Sequence, residues 1–474
     1  MKACTTSLLA RGLLRPHSSS SLLAAASPQS PRVSGLISTR SSLARQHGRI
    51  GFSRSFITDE KASGASKKKA LPFAFAFDID GVLLHVAKPI PGASETLTYL
   101  QQHNIPFILL TNGGGKHEAE RVADLSARLG VSLSTDNFVQ SHTPFQELAR
   151  LGGGSFGSVD AADAQSQEEN HNGSLRHKNI LVTGSDPAKS RLIAEQYGFR
   201  SVITPADILA AHPSIFPFEP LLTERYAATA RPLPTPNPKI DAIFVFNDPR
   251  DWALDSQLIL DLLLSEGGVL GTYSAKNGRK DLEGHGWQSD GQPRLFFSNP
   301  DLFWSASYDL PRFGQGAFQG ALAGVWAEIT GGKASLKSTT IGKPYALTYA
   351  YAERVLGAHR AALLKSGGGD NTKKETVEAE LQHEMQEAEG GEKAATGGLD
   401  GNPLERVYMV GDNPESDIRG ANEYRSPAGT DWTSVLVRTG VWSAERGEPK
   451  HTPRVVVDDV KAAVGWALER EGWR

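Results

Sequence analysis

Four short segments, in chain order, hold residue types that together suit one reaction. They are DIDGV (Asp78, Asp80, Gly81), LLTNG (Thr111, Asn112, Gly113), TIGKP (Gly342, Lys343) and VGDNPESDI (Asp412, Asp417). That reaction is phosphoryl transfer. A carboxylate such as Asp78 can attack phosphorus and form an aspartyl-phosphate, dividing one hard displacement into two. Asp80, two residues on and therefore on the same side of an extended strand, can protonate the leaving oxygen. The Thr111 hydroxyl and nearby N–H groups can hold phosphoryl oxygens, while Lys343 supplies compensating positive charge. Carboxylates gathered at one edge repel unless a cation holds them, and an all-oxygen set suits Mg²⁺.

Each segment alone has a plainer reading. DIDG can be a turn after a strand, Thr111 a helix N-cap, Lys343 a surface lysine, and the Asp412–Asp417 stretch a calcium-type loop or polar turn. Their shared order and their placement at strand ends weigh against those readings. The elements that must position them are short β-rich runs, FAFAF, IPFILLTN, NILVTG, DAIFVFND, RLFFSN, RVYMVGD and SVLVRTG, which alternate with helical patterns such as Glu95–Gln102. Near-continuous apolar strands separated by helices predict an α/β fold, a doubly wound parallel sheet covered on both faces. Ligands of such sheets bind beyond the carboxyl ends of the strands, where these acids fall.

At 474 residues, with 39% hydrophobic and 22% charged residues, the chain predicts two domains of globular type joined by looser segments. No apolar run approaches the roughly 18 residues of a membrane-spanning helix. The first 58 residues carry eight Lys or Arg, many serines and no acid, which predicts a mitochondrial transit peptide and a matrix location. The chain has a net charge of −3, or about −11 without those eight cations, and no basic patch, which argues against nucleic-acid binding. Its one cysteine, Cys4, lies in the same N-terminal segment, so the rest has no disulfide, thiolate ligand or cysteine nucleophile. Low-complexity stretches at 151–174 and 365–402 interrupt the pattern.

The four motifs resemble those of the haloacid dehalogenase superfamily of Asp-nucleophile phosphohydrolases. The long insert between LLTNG and TIGKP is similar to that of subfamily IIA, which carries an α/β C2-type cap. IFVFNDPRDWALDSQLILDLLL, FFSNPDLFW, RFGQGAFQGAL and VYMVGDNPESDIRGAN resemble the mitochondrial cat-eye-syndrome-critical-region-type branch. The similarity runs from about Phe73 to Val441. It implies a Rossmann-like core at 70–145 and 299–474, with a cap at 146–298. It implies Asp78 as nucleophile and Mg²⁺ ligand, and Asp80 as acid/base that lends its backbone carbonyl to the metal. Thr111, with Asn112 and Gly113, would bind phosphate, and Lys343 would steady the aspartyl-phosphate. Asp412 would be the acidic metal ligand, with Asp417 a supporting or water-mediated one. Asn299 and Asp301, in NPD, would face the substrate or form an Asx turn. NDPRDW (Asn247–Trp252) is distinctive of the branch, or packs cap against core. Subfamily members pair through their caps, and relatives of the branch fused to a CDP-alcohol phosphatidyltransferase point towards glycerophospholipid metabolism.

The expected activity is hydrolysis of a small phosphate monoester. A phosphotransferase on the same scaffold and a non-catalytic assembly protein are the alternatives. Other motifs fail: GGGKH lacks the Ser or Thr that a P-loop needs, and HEMQE lacks a second histidine at i+4. His85, His117 and His142 show no metal-ligand spacing and read as structural.

Overall fold

The protein's structure, a computed structural model, describes residues 70–150, 174–304, 308, 310–366 and 403–473. The expected transit peptide and almost all of both low-complexity stretches lie outside the described residues.

Two parallel sheets organise the chain. The first has six strands in the order 455–457, 431–437, 406–411, 73–77, 107–110 and 138–139. Its pivot is FAFAF. Phe73, Phe75 and Phe77 face one way, onto Leu97, Leu125 and Val464 of three helices, while Ala74 and Ala76 face the other, beneath Tyr349 and Ala352. Alternation of large and small side chains thus lets helices cover both faces, as an all-parallel sheet requires. The chain leaves Phe73–Phe77 towards 107–110 on one side and returns through 406–411 on the other. The order of strands reverses between 73–77 and 406–411, so the crevice of the sheet opens at their carboxyl ends.

The second sheet has five parallel strands in the order 339–340, 294–297, 242–245, 179–183 and 201–203, and is also covered on both faces. It is the inserted α/β domain that the resemblance implies, but it does not stop at Ser298. Thr339 and Thr340 pair with Phe296 and Phe297. The helix Gln315–Thr330 packs on this sheet through Phe318, Leu322 and Trp326, spaced four apart along one stripe. The chain therefore re-enters the first domain only at Gly342. The strand Thr339–Thr340 has two residues, too short for a periodic pattern to reveal.

Candidate active site

Each strand tip at the reversal point delivers a candidate residue. The strand Phe73–Phe77 ends in Asp78, whose N–H donates to Val410 O at 2.9 Å, locking the tip to the neighbouring strand. Arg406–Gly411 ends at Asp412, and a π-turn at Pro414–Ile418 returns Asp417 beneath it. From the second sheet, Gly342 carries the chain into the site with φ at 92°, where a Cβ would fall 2.8 Å from Ser298 O, and delivers Lys343.

Lys343 Nζ lies 2.7 Å from Asp78 Oδ1 and 2.7 Å from Asp417 Oδ1. Oxygens of Asp78, Asp412 and Asp417 all lie within 4.8 Å of one another. Asp412 Oδ2 accepts from Val441 N–H at 2.6 Å, and Asp417 Oδ2 accepts from Asn413 N–H at 3.1 Å. The packing leaves no spare room: a Cβ on Gly440 would fall 1.9 Å, and one on Gly81 2.3 Å, from Asp412 Oδ2. Three carboxylates thus meet one ammonium in a buried space. Loss of hydration, then the charges of Asp78 and Asp417, push the Asp412 carboxyl well above its usual range. Burial lifts Asp417 to about 6 against the pull of Lys343. Burial also opposes the charge on Lys343, yet Asp417 and Asp78 outweigh it and hold the amine above its ordinary value. Three converging carboxylates against a single ammonium leave an excess of buried negative charge, which fits a hard divalent cation such as Mg²⁺.

Asp80 stands apart from this cluster. Its side chain is 59% exposed, and Oδ2 lies 3.9 Å from Arg121 Nη2 at the rim. Although open to water, its carboxyl titrates above the usual range, through partial dehydration and then the charge of Asp78. Thr111 is buried at the tip of the strand Phe107–Leu110, and its hydroxyl accepts from Gly113 N–H at 3.0 Å.

Asn112 and Asn299 bond to the main chain around Lys343 and Asp301. The Asn112 amide accepts from Lys343 N–H at 2.7 Å and donates to Lys343 O at 2.9 Å and to Asp301 Oδ1 at 3.0 Å. Asn299 accepts from Asp301 N–H at 3.0 Å, the Asx turn, and its amide donates to Asn112 O at 3.4 Å. Asp301 therefore sits beside the centre, and burial raises its carboxyl to about 7.

Sequence reasoning missed a second buried group where the two domains meet. Gly115 N–H donates to His142 Nε2 at 3.2 Å, so the neutral ring carries its proton on Nδ1, 2.7 Å from Tyr197 Oη. Tyr197 Oη in turn donates to Glu118 Oε1 at 2.5 Å, as does Thr143 Oγ1 at 2.6 Å. Nothing in the spacing of Glu118, His142 and Tyr197 marks them as partners. Asn247 of NDPRDW sits at the same junction, against Gly115 of the first domain and Gly184 of the second. Its packing reading is the one the structure carries.

Parallel strands present a carboxylate–lysine centre at the reversal point, and a second α/β domain is inserted beside it; this is a two-domain, doubly wound α/β architecture with a candidate active site at its switch point. Residues 75–200 match the haloacid dehalogenase-like hydrolase family model, and residues 340–463 match a second model of the same kind. Over 84% of its length the chain is 36% identical to a mitochondrial hydrolase of Saccharomyces cerevisiae, covering 96% of that protein. It is 38% identical, over 90% of its length, to a cardiolipin synthase (CMP-forming) / mitochondrial hydrolase fusion protein of Schizosaccharomyces pombe, of which it spans 57%. A 4-nitrophenylphosphatase from Thermotoga maritima aligns at a TM-score of 0.46 and 16% identity, over 83% of this chain and 97% of that one. The chain belongs to the haloacid dehalogenase-like hydrolases.

Proposed function

We propose that the protein is a Mg²⁺-dependent phosphatase that hydrolyses a phosphate monoester through an aspartyl-phosphate on Asp78. The observation that carries this reading is the Lys343 amine 2.7 Å from Asp78 Oδ1, beside two further buried acids. In the first half-reaction an Asp78 oxygen bonds to phosphorus as the bond to the leaving oxygen breaks, and Asp80 gives that oxygen a proton. In the second, water attacks the same phosphorus, Asp80 takes its proton, and the Asp78 carboxylate is released. The raised affinity of Asp80 for its proton suits the first role, and its exposure lets it exchange with water. Lys343 holds the attacking carboxylate in place, and Thr111 offers its hydroxyl to the phosphoryl oxygens. Asp78, Asp412 and Asp417, with the Asp80 carbonyl, would hold Mg²⁺, which when bound supplies neutralisation of phosphoryl charge.

We assign the protein to the mitochondrial matrix. Two relatives named as mitochondrial hydrolases and the basic, acid-free N-terminal segment support this. The name of the fusion relative favours a substrate in glycerophospholipid metabolism. Self-association through the cap is supported by the helix Gln315–Thr330, whose outward side presents Gly320, Ala321, Gly324, Val325 and Ile329 with Glu328 as its sole charge.

The test is phosphate release by the purified protein from a panel of phosphate monoesters that includes glycerol phosphates, with Mg²⁺ or with chelator, beside Asp78→Asn. Turnover that requires both Mg²⁺ and Asp78 is expected. A folded protein silent across the panel, or one that moves phosphate only onto an added alcohol, would overturn the phosphatase reading.

A further inference from the structure

Resting on the phosphatase reading, we infer that the substrate is an amphiphile, a phosphate monoester whose organic part is an apolar chain or ring. Six of the fifteen large, exposed apolar side chains among the described residues fall between Leu302 and Phe313. Scattered exposed hydrophobics are ordinary on a soluble surface, but a concentration of this kind marks a contact face. This one is built. Strands Phe303–Trp304 and Arg312–Phe313 form an antiparallel hairpin, with Phe303 stacked on Phe313 at 5.7 Å and Trp304 Nε1 donating to Phe313 O at 3.1 Å. Phe303 is 50% exposed, Trp304 48% and Phe313 63%, although Phe313 also lies against the Trp252 ring at 5.8 Å.

The hairpin also springs from the catalytic centre. Its base is Asp301, bonded to the Asn112 amide that braces Lys343, and Gly314 N–H and Gly316 N–H close it by donating to Leu302 O and Asp301 O at 2.9 Å each. At about 3.8 Å between successive Cα atoms, Leu302 and Phe303 begin within about 8 Å of Asp301. Tyr345, 42% exposed, stands two residues after Lys343, and Val441, 46% exposed, donates its N–H to Asp412. Three separate site residues are therefore each followed or contacted by an outward-facing apolar side chain. A fully polar ester, such as a sugar phosphate, would leave this rim wet and gain nothing from it. An ester with an apolar tail would place its phosphate at Lys343 and its tail along the hairpin.

The experiment compares n-alkyl phosphates from methyl to octyl, kept monomeric, as substrates of the wild-type chain with Mg²⁺. In parallel, n-alkylphosphonates of the same lengths are bound calorimetrically to the same protein. The inference expects kcat/KM and phosphonate affinity to rise about two- to fourfold per added methylene until the hairpin is covered. Phe303→Ser and Phe313→Ser should flatten that rise and leave methyl phosphate turnover unchanged. Hydrolysis at a rate independent of chain length would overturn the inference and leave the phosphatase standing. A length-dependent phosphonate affinity without hydrolysis would do the reverse. If the serine variants change the oligomeric state but not the slope, the hairpin covers a second copy of the chain and the inference fails.

Discussion

Asn112→Ala separates a brace from a phosphate ligand. The Asn112 amide satisfies both main-chain groups of Lys343, at 2.7 and 2.9 Å, and one Asp301 oxygen at 3.0 Å. Asn112 is 8% exposed and Lys343 1%, so the alanine variant leaves two peptide groups without partners in a nearly dry space. Each such group costs about 1–3 kcal/mol, which gives about 2–6 kcal/mol for the pair. Water entering the vacated volume recovers part of this and sets the working figure near about 3 kcal/mol. At about 2–4 °C per kcal/mol, the melting midpoint of the ligand-free protein falls by about 6–12 °C. The Lys343 amine also loses its alignment with Asp78, and a displacement of about 1 Å lowers turnover by about 10²-fold. Differential scanning fluorimetry without Mg²⁺ or substrate, paired with steady-state kinetics, reads both effects. If the midpoint is unchanged and only KM rises, Asn112 is a phosphate ligand and the bracing argument is wrong.

Three further outcomes follow from the same geometry. Gly440→Ala puts a Cβ 1.9 Å from Asp412 Oδ2, so the variant should fold yet need at least about tenfold more Mg²⁺ for half-maximal activity, read by metal titration. Burial lowers His142 to about 4 from 6.5, against the pull of Glu118 and with the push of His117, while Tyr197 faces its Nδ1. The unfolded chain then binds this proton first, so the contribution is complete above pH 6.5 and lost as pH falls towards 4, by about 3 kcal/mol. Urea titrations at pH 7 and pH 5 should show about 2 kcal/mol of this loss, the part that falls above pH 5, and His142→Gln should shrink it. Gly324→Glu, on the outward side of Gln315–Thr330, should convert a dimer to a monomer in light scattering, and a wild-type monomer would end that proposal.

The sequence made legible what depends on local pattern. FAFAF and RVYMVG read as buried strands because long apolar runs have few other uses, and the acids at their tips read as a site because strand ends gather there. Partners distant along the chain were not legible. Asn112 and Lys343 are 231 residues apart, and nothing about an asparagine after a threonine tells a brace from a ligand. Strands of two or three residues, 138–139, 201–203 and 339–340, are too short to show a period of two, which is why the inserted domain reads as ending at 298. The exposed hairpin escaped for a related reason: FFSNPDLFW is as apolar as a core strand, and only the fold shows that Phe303 and Trp304 face out.

The most direct test of the central claim is to look for the covalent intermediate. Wild-type protein and Asp78→Asn, each with Mg²⁺ and 4-nitrophenyl phosphate as probe, are quenched in acid during turnover, digested and examined by mass spectrometry. A phosphoryl group is expected on the peptide that contains Asp78, lost on mild alkaline treatment and absent from Asp78→Asn. Turnover with no such adduct, or with the phosphoryl group on another residue, would contradict it.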